Sequence, residues 1–119
     1  MYGFPIDLDP GVFVGRTLEQ FTMSVNTVFF WFDVDLTITV TGRYEYRTST
    51  GEIITASAEE LPETTGLPRL VGKTVTAARA SSDGTLSLEF ESSAGLDIVE
   101  DTPQYECYII KYRDRQFII

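Results

Sequence analysis

Two carboxylate pairs are the residues best spaced to do chemistry. Asp33 and Asp35 stand two positions apart, as do Glu89 and Glu91, and on a strand that spacing sends both side chains out of one face. Such a pair could ligate calcium or serve as acid and base in hydrolysis. Each pair is flanked by turn positions and lacks a third oxygen ligand in a spaced loop, so both read as solvated. Histidine is absent, which removes the commonest general base, the serine-histidine triads and the usual transition-metal ligands. Val14-Gly15-Arg16-Thr17 and Val71-Gly72-Lys73-Thr74 echo the end of a phosphate-binding loop. Without the upstream glycine and the following helix, each glycine reads instead as the start of a strand. Cys107 is the single cysteine; it cannot form an intrachain disulfide and reads as a small sheet residue of a protein in a reducing compartment. The chain is expected to have no enzymatic activity and no cofactor or metal.

The elements that carry these residues recur. Aligning Val14, Gly15 and Thr17 with Val71, Gly72 and Thr74 brings Val28, Phe30 and Phe32 onto Leu86, Leu88 and Phe90, after one extra residue in the Asp83-Gly84 turn. Further on, Tyr44-Glu45-Tyr46 resembles Tyr105-Glu106-Cys107. This is an internal repeat of about 57 residues. Each half reads as a four-stranded antiparallel meander: one strand after VGRT or VGKT, then Thr27 to Asp33 or Thr85 to Glu91, Leu36 to Tyr46 or Leu96 to Ile110, and Glu52 to Ala56 or Gln116 to Ile119. Turn-forming residues at 24–26, 49–51, 83–84 and 92–95 separate them. Ser57 and Glu60 form a capping-box pattern for one short helix that Pro62 ends. The expected fold is all-β, a single domain over residues 1–119, with repeats 10–56 and 68–119 joined by a linker 57–67, arranged as a sandwich or a strongly curved sheet.

One strand breaks the pattern. In the second half, Leu86, Leu88 and Phe90 alternate with Ser87, Glu89 and Glu91, as expected of a sheet with one wet face. At the positions equivalent to Ser87 and Glu89, the first half has Phe29 and Trp31. Either the segment from Ser57 through Leu67 folds over these two rings, or they bury on association with a second copy or another partner.

Size and charge bound the function. At 13.4 kDa, with 43% hydrophobic residues, the chain can bury a core without disulfide or metal staples. No apolar run approaches the roughly 18 residues of a membrane span, and the N-terminus MYGFPIDLDPG lacks the features of a signal peptide, so a cytoplasmic location is expected. Eighteen acidic residues against nine basic give a formal charge of −9, which disfavours nucleic acid and anionic membrane as partners. Between Ala80 and Ile110 there are Asp83, Glu89, Glu91, Asp97, Glu100, Asp101 and Glu106 and no lysine or arginine. That stretch reads either as solvated turns and edges or as a surface for a basic partner.

Within it lies the most distinctive segment, Glu100 to Ile109, where Pro103 admits the chain to a last long strand with a kink or bulge. The VG-x-T-L opening, the F-x-F-D centre, the I-x-V strand and the D-x-P-Q-Y-E-x-Y-x-I segment resemble a family of small bacterial domains of unknown function, some found in toxin-immunity contexts; the resemblance covers residues 6 to 119. It implies a β-rich fold and neutralising binding, and it carries no catalytic residue onto this chain. The function expected is therefore protein binding, immunity-like, with Phe29, Trp31, Glu100, Asp101, Gln104, Tyr105 and Glu106 meeting a basic protein partner such as a toxin. The alternative is a small-molecule module with a pocket between the halves lined by Phe29, Trp31, Tyr44, Tyr46 and Tyr105. A carboxylate-based hydrolase is a third, weaker possibility.

Overall fold

The run TVFFWFD alternates in space as a half-buried strand must. Val28, Phe30 and Phe32 are buried, Phe29 is half-buried and Trp31 keeps 37% of its surface exposed. A computed structural model describes residues 4–5, 7–33, 35–57, 67–100 and 107–119. Among them are ten strands: β1 (Gln20–Ser24), β2 (Thr27–Asp33), β3 (Leu36–Val40), β4 (Arg43–Arg47), β5 (Ile53–Ser57), β6 (Val75–Ala80), β7 (Leu86–Phe90), β8 (Gly95–Ile98), β9 (Tyr108–Tyr112) and β10 (Arg115–Ile118). The helical turns among the described residues are short 3-10 segments at Pro10–Phe13, Leu67–Leu70 and Glu91–Ser93. Asp9 caps the first of these by accepting a hydrogen bond from the Gly11 amide at 2.8 Å. The helix expected from the Ser57 capping box falls on residues outside the described set; Ser57 itself ends β5. Among the described residues no helix is long and apolar enough to cross a membrane.

The strands form two five-stranded antiparallel sheets packed as a sandwich. Their orders are β1-β2-β3-β9-β10 (sheet 1) and β5-β4-β8-β7-β6 (sheet 2). Three strands of each sheet therefore come from one half of the chain and two from the other. The expected long third strand of each half is two strands. At Thr41 and Gly42 the chain leaves sheet 1 for sheet 2, and both amides donate to the Cys107 carbonyl at the crossing, at 3.0 and 3.2 Å. In the second half β8 ends at Ile98 and β9 starts at Tyr108. That longer connection shifts the repeat. Tyr44 pairs with Ile98 on β8, and Tyr108 pairs with Val40 on β3, so the counterpart of Tyr44 is Tyr108, not Tyr105.

Backbone bonds around the start of each half obey the same two-fold relation. The Gly15 amide donates to Val75 at 2.9 Å and the Gly72 amide to Leu18 at 2.8 Å; Leu18 donates to Lys73 at 3.0 Å and Val75 to Arg16 at 2.8 Å. Gly15 and Gly72 have φ of +85° and +93°, backbone that suits glycine in both copies.

The core lies between the sheets, from the inward residues of every central strand: Phe30, Ile38, Tyr108 and Ile110 on sheet 1, and Tyr44, Leu88, Leu96 and Ile98 on sheet 2. Phe30 meets Tyr44 edge-on, with ring centroids 6.2 Å apart, and Phe13 closes one end against Phe32 at 5.4 Å. Cys107 is a buried free thiol.

Candidate functional site

Because opposed residues of an antiparallel pair share a face, the register fixes what lies on the outside of each sheet. Across sheet 1 run two rows, Gln20, Trp31, Thr37, Lys111 and Gln116, and beside it Thr22, Phe29, Thr39, Ile109 and Ile118. The matching rows of sheet 2 are Ala77, Glu89, Gly95, Arg47 and Ile53, and Arg79, Ser87, Asp97, Glu45 and Thr55. Trp31 and Phe29 occupy the places of Glu89 and Ser87, as the repeat suggested.

At the centre of the sheet 2 face, opposite charges answer one another. Arg47 reaches Asp97 at 3.5 Å and Glu89 at 3.9 Å. Its guanidinium lies over Gly95, where any side chain would collide with it. The absence of lysine and arginine from residues 80–110 is thus a property of the sequence and not of the surface. Other acids of that stretch are engaged as well. Asp83 accepts from the Ser81 hydroxyl and from the Thr85 amide at 3.0 Å, and the Ser81 bond is the main cause holding its carboxyl below the usual value. Glu91 accepts from the Thr74 amide at 3.1 Å. It starts a 3-10 turn after β7 has ended at Phe90, so Glu89 and Glu91 are not a same-face pair. Glu100 is half-buried with one carboxylate oxygen enclosed, packed against the backbone of Gly84. The remaining partner residues expected from sequence, Asp101, Gln104, Tyr105 and Glu106, lie outside the described residues.

Asp33 and Asp35 are also committed, and not merely solvated. Arg16 Nη1 bridges them at 3.0 Å each. One guanidinium nitrogen thus answers an oxygen of each carboxylate, and both side chains remain partly exposed.

Sheet 1 is different. Phe29 and Trp31 form one side of an open cleft of about 350 Å³ whose floor is Thr37 and Thr39 and whose other side is Lys111 and Arg113, with Asp35 at one end. Thr37 is only 9% exposed. Lys111 and Arg113 are exposed, and among the described residues neither has an ion-pair partner. Arg113 stands in the β9–β10 turn at φ +58°, a left-handed conformation unusual for a long side chain. Its amide donates to the Asp35 carbonyl at 2.7 Å. Trp31 keeps 37% of its surface exposed; the linker expected to fold over it lies, at residues 58–66, outside the described residues. Tyr44 and Tyr46 are core residues of sheet 2, so among the described residues they do not share a surface with the outward Phe29 and Trp31; Tyr105, the other residue expected in a pocket between the halves, lies outside the described residues. Glu100 follows β8 of sheet 2, whereas Phe29 and Trp31 stand on the outer face of sheet 1.

A family model described as a family of unknown function, DUF6188, matches residues 10–119. The chain belongs to that family. No curated protein and no solved structure matches it significantly. The DUF6188 match takes in all ten strands, so both outer faces and the cleft lie within the family domain.

The residues missed from sequence are Thr37, Thr39, Lys111 and Arg113. The two threonines interrupt the apolar LTITV segment at alternate positions, and Lys111 follows an apolar pair in YIIKYRDR. Those are signals for an outward polar face. That they oppose Trp31 follows only from the pairing of β3 with β9.

Proposed function

We propose that this chain is a non-enzymatic binding domain that holds a small molecule in the cleft on the outer face of sheet 1. The observation carrying this reading is the asymmetry of two faces built on one strand pattern. On one, Arg47 lies across the sheet and closes on Asp97 and Glu89; on the other, two aromatic rings and two basic side chains frame an unfilled concavity. A site with aromatic walls, a few convergent polar groups and a volume of several hundred Å³ suits small-molecule recognition. The lack of histidine and the Arg16 bridge between Asp33 and Asp35 support binding without turnover. A cytoplasmic setting suits the buried free thiol of Cys107.

Trp31 is the only tryptophan, so its emission reports directly on the cleft. Titration with small-molecule pools should shift that emission saturably and move backbone amide resonances of β2, β3 and β9. Shifts confined to β4 and β8 on the opposite sheet would reject the assignment.

A second reading, binding of a protein on the same face, is favoured by the apolar extension from Phe29 through Ile109 to Ile118, which is 41% exposed. In that case Trp31→Glu abolishes association while the fold persists. An immunity-like role against a basic toxin draws support from the net charge of −9. Its acids within the described part of 80–110 are mostly engaged on their own chain, which places this role behind the other two.

A further inference from the structure

Basic residues are outnumbered two to one in this chain, and those with carboxylates in reach use them. Arg16 bridges Asp33 and Asp35, Arg47 reaches Asp97 and Glu89, and Arg115 pairs with Asp7. Among the described residues Arg69, Lys73, Arg79, Lys111 and Arg113 form no ion pair, and of these Lys111 and Arg113, the latter with its guanidinium 5.1 Å from the centre of the Tyr112 ring, stand together in the wall of the aromatic cleft. Arg113 is also held at φ +58°, a conformation whose cost persists only where surrounding structure enforces it. Here the bond from its amide to the Asp35 carbonyl does so. The β9–β10 turn thereby presents a cation at the end of the cleft.

What such a site selects follows from charge and shape. The overall negative field opposes any anion, and it opposes a dianion about twice as strongly as a monoanion. Asp35, although bridged to Arg16, adds a local negative group that a phosphate dianion would also have to approach. A single carboxylate meets less resistance, and the planar guanidinium fork matches it in a bidentate geometry. Trp31 and Phe29 leave one strand on the same face, roughly 7 Å apart, and offer a flat apolar wall for the rest of the ligand. The hydroxyls of Thr37 and Thr39 can donate or accept between them.

Resting on the small-molecule reading above, we propose that the cleft binds a monocarboxylate carried on a flat apolar body, an aromatic acid, with Lys111 and Arg113 taking the carboxylate and Phe29 and Trp31 packing against the ring. Phenylacetate, phenylacetamide and phenyl phosphate, titrated separately against Trp31 emission, test it. Phenylacetate should bind about tenfold more tightly than the amide, the difference expected of a charge-assisted hydrogen bond, and should weaken with added salt. The Lys111→Met/Arg113→Met double variant, or Lys111→Gln/Arg113→Gln should the first fold poorly, should lose that preference and bind acid and amide alike. Equal binding of acid and amide by the unaltered protein, or an undiminished preference in the double variant, overturns the carboxylate assignment and leaves small-molecule binding standing. Tighter binding of phenyl phosphate than of phenylacetate overturns it too. If none of the three probes moves Trp31 emission or the amides of β2, β3 and β9, the small-molecule reading itself falls.

Discussion

The hydroxyls of Thr17 and Thr74, 57 residues apart in the chain, meet at 2.9 Å. They do so in an isolated antiparallel bridge between equivalent positions of the two halves, so each residue is the other's image across the two-fold relation. Thr17→Val and Thr74→Val should therefore cost the same, about 1 kcal/mol each, the usual worth of a hydrogen bond. The double variant should cost clearly less than the sum, because the second change removes a group already left unpaired. Urea unfolding of the three variants measures this, and a strictly additive pair would mean that the bond contributes nothing.

Alternation within β2 predicts opposite tolerances at neighbouring rings. Phe30→Ala removes a fully buried side chain and should cost about 3–5 kcal/mol. Trp31→Glu alters a residue with 37% of its surface exposed and should cost under about 1.5 kcal/mol. Both values come from chemical denaturation, and similar losses at the two sites would contradict the assignment of Trp31 to the outer face.

Tyr108 should report alkaline unfolding. Its hydroxyl donates to the Gly84 carbonyl at 2.5 Å; burial, with the charges of Glu100, Cys107 and Asp83 adding to it, pushes the phenol well above its ordinary value of 10.0. The folded state favours the neutral phenol, so this contribution is whole below pH 10.0 and diminishes as pH rises beyond it. Tyr108 should ionise only as the chain unfolds, contributing to a cooperative step in near-ultraviolet absorbance. Tyr108→Phe should reduce that step by one tyrosine's worth and cost about 1 kcal/mol at neutral pH through the lost bond.

Two glycines with the same backbone separate strain from crowding. Gly84 and Gly51 have φ of +97° and +98°; nothing lies within 4 Å of a side chain at 51, whereas one at 84 would run into the Glu100 carboxylate. Gly51→Ala should cost about 1 kcal/mol from backbone conformation alone, and Gly84→Ala about 2–3 kcal/mol. Thermal unfolding ranks them. Equal losses would show that Glu100 swings aside at no cost.

The strands and the duplication were legible because period-two alternation and recurrence at a fixed offset are local properties of a sequence. Comparing Phe29 and Trp31 with Ser87 and Glu89 even placed the two rings on an outer face. The crossing at Thr41 and Gly42 was not legible, since LTITVTGRYEYR has strand-forming residues throughout and the change of sheet is enforced by packing. The acidic stretch misled for a related reason: the arginine that answers Glu89 and Asp97 arrives from β4, in the other half. Lys111 and Arg113 become neighbours of Trp31 only through the pairing of β3 with β9, a contact that no local pattern announces.

That same pairing governs the order of events when the chain folds. Each sheet contains a seam between halves, β3 with β9 and β4 with β8, and neither seam can form until strands from both halves of the sequence are present. Such distant pairing must overcome loop-closure entropy before it is rewarded, which puts refolding in the slow regime of milliseconds to seconds. On the ribosome, β1, β2 and β3 emerge with the Leu36–Val40 edge open, and it stays open until the last hairpin is made. For that interval the nascent chain exposes an apolar edge strand able to pair with another copy.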